Sequence, residues 1–270
     1  HKSVLKNQAG DIQIRPLLNQ DSRDQGQKEV ASPDHGLELG KKGMHVRIWY
    51  AKKGVASFFS QLELQDIFDS ALRRARLPMS FSKGFHPLPL LSFGRALPVG
   101  VSSLEEWVNV FFRQELPEKD LWKLADELPR GLQLLHIERL SMAKKQPQAV
   151  LEDFKLEYLC AEKDCRIFQG QWESSLENES IFLQRQGKRG FSSKNIRPLI
   201  GEVVFKSLQE IFIRFCWEND YISPLSIIRT INSDIGLHEF KLLKLKQYMS
   251  QEVPPGLKSY FLNQGLSNRI

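Results

Sequence analysis

The sequence predicts an α+β protein made of two successive halves, each running strand, helix, strand, strand, helix, strand over an antiparallel sheet, behind a flexible N-terminal linker. Three observations predict it. Apolar residues alternate at period two over 45–50, a capped helical stripe follows from Ser60, and the same element order recurs more loosely after residue 150.

In the first half, Val46, Ile48 and Tyr50 alternate with His45, Arg47 and Trp49, the pattern of a strand, which Lys52-Lys53-Gly54 ends. Ser60 and Glu63 have the spacing of a capping box, in which hydroxyl and carboxylate each accept a free amide at a helix start. Leu64, Ile67, Phe68, Ala71, Leu72 and Ala75 then form one apolar stripe, and Pro78 stops the helix. Strands are expected over 90–97 and 107–113, joined by a turn at 100–105. A second helix is expected over 117–128, with Pro117 at its start and Leu121, Trp122, Leu124, Ala125 and Leu128 on its inner face. A last strand covers 132–140. This order is the split βαβ, or ferredoxin-like, arrangement, and 44–142 is read as the first such domain.

The second domain is read over 150–250, after a polar break at 143–148. Its strands are expected at 154–160, 181–186, 209–216 and 240–248, and its helices at 164–176, 193–203 and 223–231, the last with Pro224 early in its first turn. Residues 1–43 read as a largely disordered linker or tail, because 19–43 hold few large apolar residues to offset the entropy of ordering. Residues 251–270 read as a C-terminal tail. The chain begins with His1 and shows no compact pattern before Met44, so it reads as a piece of a longer or processed product.

Composition sets the outer limits. A chain of 270 residues has room for two modest cores. Apolar residues at 41% and charged residues at 26% exclude bulk disorder. The formal charge of +6 favours a polyanionic partner such as RNA. Cys160, Cys165 and Cys216 are too few and odd in number for a disulfide framework, which points to a reducing compartment, the cytoplasm. No apolar run approaches the roughly 18 residues of a membrane span. The cysteines are too scattered for an iron–sulfur site, the histidines lack metal-ligand spacing, and there is no Gly-rich nucleotide loop. No metal or other cofactor is therefore expected in this chain.

The segment richest in chemistry runs from the first helix into the next strand. Arg73, Arg74 and Arg76 complement a helix C-terminus, or, with Lys83 and Arg95, they form a phosphate-binding patch. Ser80, Ser82 and the Gly84 backbone add neutral donors, and Pro78, Pro87 and Pro89 stiffen the loop. Phe81 and Phe85 either anchor the loop to the core or stack on bases. His86 is the one candidate acid or base. A second basic stretch, Lys188, Arg189, Lys194 and Arg197, is expected in a loop opening into a helix, where amides and cations make an anion site.

Lys53-Gly54, Ser60-Gln-Leu-Glu63, Ala71-Leu-Arg-Arg-Ala75, 77–87, Leu97-Pro-Val-Gly100 and Ser103-Leu-Glu105 together resemble a bacterial radical-SAM-associated domain of unknown function. The resemblance is strongest over 44–140 and extends to the basic motif at 188–198. This sequence has Gln61 and Glu63 where a His and an Asp are typical, and Asn195 where an acidic residue is usual. The resemblance implies a radical-SAM partner, in the same polypeptide or beside it, that carries an iron–sulfur cluster, S-adenosylmethionine and cobalamin. The expected function is an accessory RNA-binding or substrate-presenting domain in tRNA or rRNA modification or processing, with no independent activity. Two alternatives stay open, an RNA-cleaving or RNA-modifying enzyme centred on His86 and a protein-interaction domain for the radical-SAM partner.

Overall fold

The computed structural model of the protein describes residues 40–142, 148–187, 190–217 and 220–249. The linker expected at 1–43, apart from its last four residues, and the tail at 251–270 lie outside the described residues.

The period-two pattern at the start becomes strand β1 (Met44–Lys52), buried along its whole length. Strand β3 (Ser102–Phe112) and strand β4 (Leu132–Arg139) flank it, both antiparallel. Met44, Val46, Ile48 and Tyr50 turn one way, joining Val108, Val110 and Phe112 in the first core. Helix α1 (Gln61–Arg74) lays Leu64, Phe68, Ala71 and Leu72 into the same core. Its capping box forms as the spacing predicts, with Ser60 N–H donating to Glu63 at 2.7 Å and Glu63 N–H donating to Ser60 Oγ at 3.3 Å.

Three first-half expectations need adjusting. Strand β2 is only Leu91–Phe93, because the chain turns away at Gly94, where a Cβ would stand 3.1 Å from Trp107 Cε2. The turn expected at 100–105 falls earlier, and β3 already runs from Ser102. Its polar start, with Ser103 and Glu106 both buried, hides a strand from any apolar pattern. The helix expected at 117–128 is two short ones, α2 (Glu118–Leu121) and α3 (Leu124–Glu127). Lys123 N–H bonds Asp120 O across three residues, and this tightening lets Leu121 and Leu124 both face inward.

The second half contains β5 (Ala149–Tyr158), α4 (Glu162–Glu177), β6 (Phe182–Gly187), β7 (Gly190–Asn195), β8 (Ile200–Phe205), β9 (Glu210–Cys216), α5 (Pro224–Ile231) and β10 (Phe240–Met249). The helix expected at 193–203 is not formed. Its residues belong to β7, a 3-10 turn at Arg197–Leu199, and β8. Strand pairing decides this, since Val203, Val204 and Phe205 find Ile213, Phe212 and Ile211 across β9, a match for β-branched and aromatic side chains that no local helix offers.

Eight strands form one sheet in the order β4-β1-β3-β10-β5-β9-β8, with β2 on β3, while β6 and β7 pair as a separate hairpin. Most pairings are antiparallel. The junction is not, because β10 runs parallel to β3 at Leu243 with Ser102 and Lys244 with Ser103. The expected separate antiparallel sheets are therefore one continuous mixed sheet. It carries two cores, the second built on Phe154, Leu156, Trp172, Ile213, Phe215, Ile227 and Ile228. Val101 and Leu97 reach across from the first half into it. No described helix is long and apolar enough to cross a membrane.

Candidate functional site

Helix α1 closes in a Schellman turn, with Leu77 N–H bonding Leu72 O at 3.1 Å and Arg76 N–H bonding Arg73 O at 2.9 Å. Arg76 occupies the left-handed position usually taken by glycine, at φ 56°. From there the chain is clamped as a narrow ribbon. Ser80 N–H donates to Phe111 O, Leu90 N–H to Ser80 O and Ser82 N–H to Leu88 O, each at 2.8 Å, and Phe81 bridges Pro89. The residues of the tip, 83–86, are all exposed. Phe85 has a relative exposure of 104%, with His86, Lys83 and the positive-φ Gly84 beside it. The Lys83 stem lies over Gly40, where a Cβ would come within 2.5 Å of Lys83 Cε.

The arginines behind the tip are held. Arg73 pairs with Asp69 at 2.8 Å and lies over the Phe81 ring, 5.3 Å from its centroid. Arg74 pairs with Glu127 at 2.8 Å and donates to the Glu127 carbonyl at 2.6 Å. Both guanidiniums stay about half exposed, so solvent and ligand still reach them. Arg76 is exposed. Phe81 thus anchors, while Phe85 is presented. Ser80 is fully buried, too deep to touch a surface ligand, and the Ser82 hydroxyl accepts Leu88 N–H at 3.0 Å.

Beside Arg74 and Arg76 opens a cleft of about 550 Å³. Lys123, Asp120, Asp126 and Glu127 share its wall, and the Lys123–Asp120 pair at 2.7 Å with the Arg74–Glu127 pair leaves it electrically mixed. The exposed ribbon tip suits a polyanion better than this larger cleft does.

In the second basic stretch, Lys188 and Arg189 lie outside the described residues. Lys194 sits on β7 and pairs with Asp220 at 2.7 Å. Arg197 Nη1 donates to Ile200 O at 3.0 Å and Nη2 to Leu176 O at 3.4 Å, tying the end of α4 to the start of β8. The expected helix N-terminus is absent here, so the anion site drawn from it is withdrawn. Asn195 Oδ1 accepts both Ile181 N–H at 3.0 Å and Arg197 N–H at 3.1 Å. An acidic residue would accept the same two bonds. The two basic segments stand on different cores, with β3 and β8 four strand spacings of about 4.8 Å apart, on the order of 20 Å along the sheet.

Sequence reasoning misses a second charged cluster, at the β3–β10 junction. Lys244 Nζ stands 2.6 Å from Glu106 Oε1 and 3.3 Å from Glu152 Oε1, and all three side chains are buried. Trp217 Nε1 donates to Glu152 at 2.7 Å. Buried Lys52 donates to the carbonyls of Ser57 and Phe59. Arg95 stacks over Tyr221 and donates to the Ala149 carbonyl, so it works at this seam and not in the Arg73–His86 patch. Burial raises the Glu106 carboxyl above its usual range, against the pull of Lys244. Burial also works to lower Lys244, but Glu106 and Glu152 outweigh it and hold the ammonium above its ordinary value. Burial lowers Lys52, opposed by Glu106. Gln61 borders a small recess against Lys52, Glu106 and Arg95, while Glu63 is spent on the helix cap.

Residues 45–226 match the family described as an uncharacterized protein conserved in bacteria (DUF2344). The chain belongs to this family. No curated protein matches it. The DUF2344 match takes in the Arg73–His86 segment, the β6–β7 hairpin, Glu106 and Glu152, and it stops before β10 and Lys244. Among the described residues, no group of three or more His, Cys, Asp or Glu side chains converges to hold a metal ion.

Proposed function

We propose that this chain is an RNA-binding or substrate-presenting module that serves a bacterial radical-SAM protein or domain in the cytoplasm, in tRNA or rRNA modification or processing. On this reading the partner carries the iron–sulfur cluster, S-adenosylmethionine and cobalamin. The carrying observation is the backbone-clamped ribbon tip, which holds Phe85 wholly in solvent beside Lys83 and His86. An aromatic ring costs free energy to leave in water, and a rigid tip with adjacent cations suits unstacked bases and their phosphates. Arg73 and Arg74 sit behind the tip, half exposed, as a diffuse positive field.

Each half also supports reading as a ferredoxin-like unit. The first has strand order β4-β1-β3-β2, and the second has order β10-β5-β9-β8 once the β6–β7 hairpin is set aside as an insertion. This is the same order twice, with β10 pairing the start of β3 beyond the reach of the short edge strand β2.

The test is a fluorescence-anisotropy titration of single-stranded and stem-loop RNA across a salt series. Binding is expected at low salt and should weaken steeply as salt rises. Phe85→Ala should weaken it on the order of tenfold, since stacking is worth about 1–3 kcal/mol per base. Lys83→Ala should flatten the salt slope. Absence of binding at low salt, or full affinity in both variants, rejects the reading. Capture of a radical-SAM partner without RNA, lost in Phe85→Ala, would instead make the tip a protein anchor.

A further inference from the structure

The connection between β5 and α4 brings two thiols together. Cys160 follows the end of β5, and Cys165 lies in the first turns of α4. Their sulfurs are 3.2 Å apart, and Cys165 Sγ also points at the Cys160 carbonyl, 3.5 Å away. Cys165 N–H bonds Ala161 O at 3.0 Å, so helical geometry fixes this approach. Cys165 is fully buried and Cys160 half-buried, so Cys160 is the more accessible of the two.

The surroundings give this pair something to do. The N-cap of α4 is Ala161, which offers no side-chain acceptor to the free amides of the first turn. Such a cap is among the weakest. A covalent tie from the end of β5 into α4 would fasten the helix start that lacks a capping bond. Beneath it lies the buried hub where Tyr158 Oη donates to Asn232 Oδ1 at 2.8 Å and Trp172 Nε1 donates to the same atom at 3.0 Å.

We propose that Cys160 and Cys165 are a reversible dithiol–disulfide site, oxidised by a small-molecule disulfide of the glutathione class. The Cys160 thiolate attacks one sulfur of the small disulfide, forming a mixed disulfide and releasing one small thiol. Cys165, deprotonated in its turn, attacks Cys160 Sγ, forms the internal bond and releases the second small thiol. The two protein thiols lose two electrons and two protons, and the small disulfide gains both. A disulfide bond of about 2 Å requires the sulfurs to close by roughly 1 Å, within the reach of side-chain rotation.

Burial, with the neighbouring thiol, pushes Cys160 up to about 12. Thiolate is therefore scarce at neutral pH, and the exchange is slow there. The site answers sustained oxidation and not a brief pulse.

The test uses the full chain equilibrated with graded ratios of reduced to oxidised glutathione, quenched in acid, unfolded and capped with a maleimide for mass analysis. Of the three cysteines, only Cys216 should take the cap at oxidising ratios. Peptide mapping should return a Cys160–Cys165 link that dithiothreitol removes. The link should form faster at alkaline than at neutral pH, and its formation should raise the thermal midpoint. Cys165→Ser should stop at a glutathione adduct on Cys160. Three capped thiols in the unaltered chain at every ratio, or a lasting glutathione adduct there, would overturn the proposal. The unaltered chain decides this by itself, whatever the variant's fold.

Discussion

The Lys244 ammonium lies 2.6 Å from Glu106 across the seam where β10 meets β3, and Glu152 on β5 holds the same ammonium at 3.3 Å. The β3–β10 contact has only two parallel residue pairs, so few backbone bonds hold it. The ion triad and Gln247, whose amide donates to Glu105 O at 3.0 Å, supply what the ladder lacks. Taking charges out of water is costly, and the triad holds because each charge has a partner.

Lys244→Met should therefore leave two carboxylates facing each other in a buried seam. A loss of about 3–5 kcal/mol is expected in urea unfolding at neutral pH. The defect should shrink as pH falls, because Glu106, its carboxyl already raised by burial, takes up a proton. Adding Glu106→Gln to Lys244→Met should recover part of the loss. An unaltered midpoint in the single variant would show that the seam does not depend on the triad.

Arg76 sits at a backbone angle that favours glycine, at the turn that ends α1. Arg76→Gly should relieve that strain and stabilise the fold by about 0.5–1 kcal/mol, since its Schellman bonds are backbone bonds that glycine keeps. If the ribbon's cations act as a diffuse field, RNA affinity should drop modestly in the same variant. Greater thermal stability with weaker RNA binding would mark Arg76 as retained for charge. A less stable protein would show that its side chain contributes packing that outweighs the strain.

The contrast between α1 and the seam shows what the sequence makes legible. Ser60, Glu63 and the Leu64–Leu72 stripe act within a few residues of one another, so spacing alone reveals them. Lys52, Glu106, Glu152 and Lys244 are charged residues that no local spacing marks as a cluster, and only pairing among four distant strands buries them together. The Arg73–His86 segment is legible as a loop for the same local reason. What is not legible is who holds its cations, because Glu127 reaches Arg74 from α3. Lys194 and Arg197 likewise read as a ligand patch until Asp220 and the Leu176 carbonyl come into view.

Asn195 tests whether the second basic stretch is built for shape. Its side-chain oxygen holds two amides, those of Ile181 and Arg197, and its Nδ2 reaches Ser180 Oγ at 3.4 Å. Asn195→Asp keeps both acceptor bonds and should preserve stability to within about 0.5 kcal/mol. Asn195→Ala orphans both amides and should cost about 1–3 kcal/mol. Thermal melts of the two variants separate the cases, and equal melts would remove the proposed role.

His45 gives the fold an acid-side weakness. Its Nδ1–H donates to Ser141 O at 3.0 Å, its ring stacks on Phe111 at 3.9 Å, and its buried Nε2 has no hydrogen-bond partner among the described residues. Burial lowers its pKa below 6.5 against the Ser141 bond, with Arg47 and Lys42 adding to the effect. In the unfolded chain the imidazole takes its proton near pH 6.5, whereas the folded chain takes it only at lower pH. Between those two values the unfolded state binds more protons, so stability is present above about pH 6.5 and falls as pH drops through that window, by at most about 1.4 kcal/mol per pH unit. Asn at position 45 keeps a donor toward Ser141 and cannot titrate. Urea midpoints at pH about 7.5 and about 5.5 should therefore differ less in His45→Asn than in the natural chain. An equal decline in both proteins would place the acid sensitivity elsewhere, with the raised Glu106 excluded as its source, because protonation of that carboxyl favours the folded state.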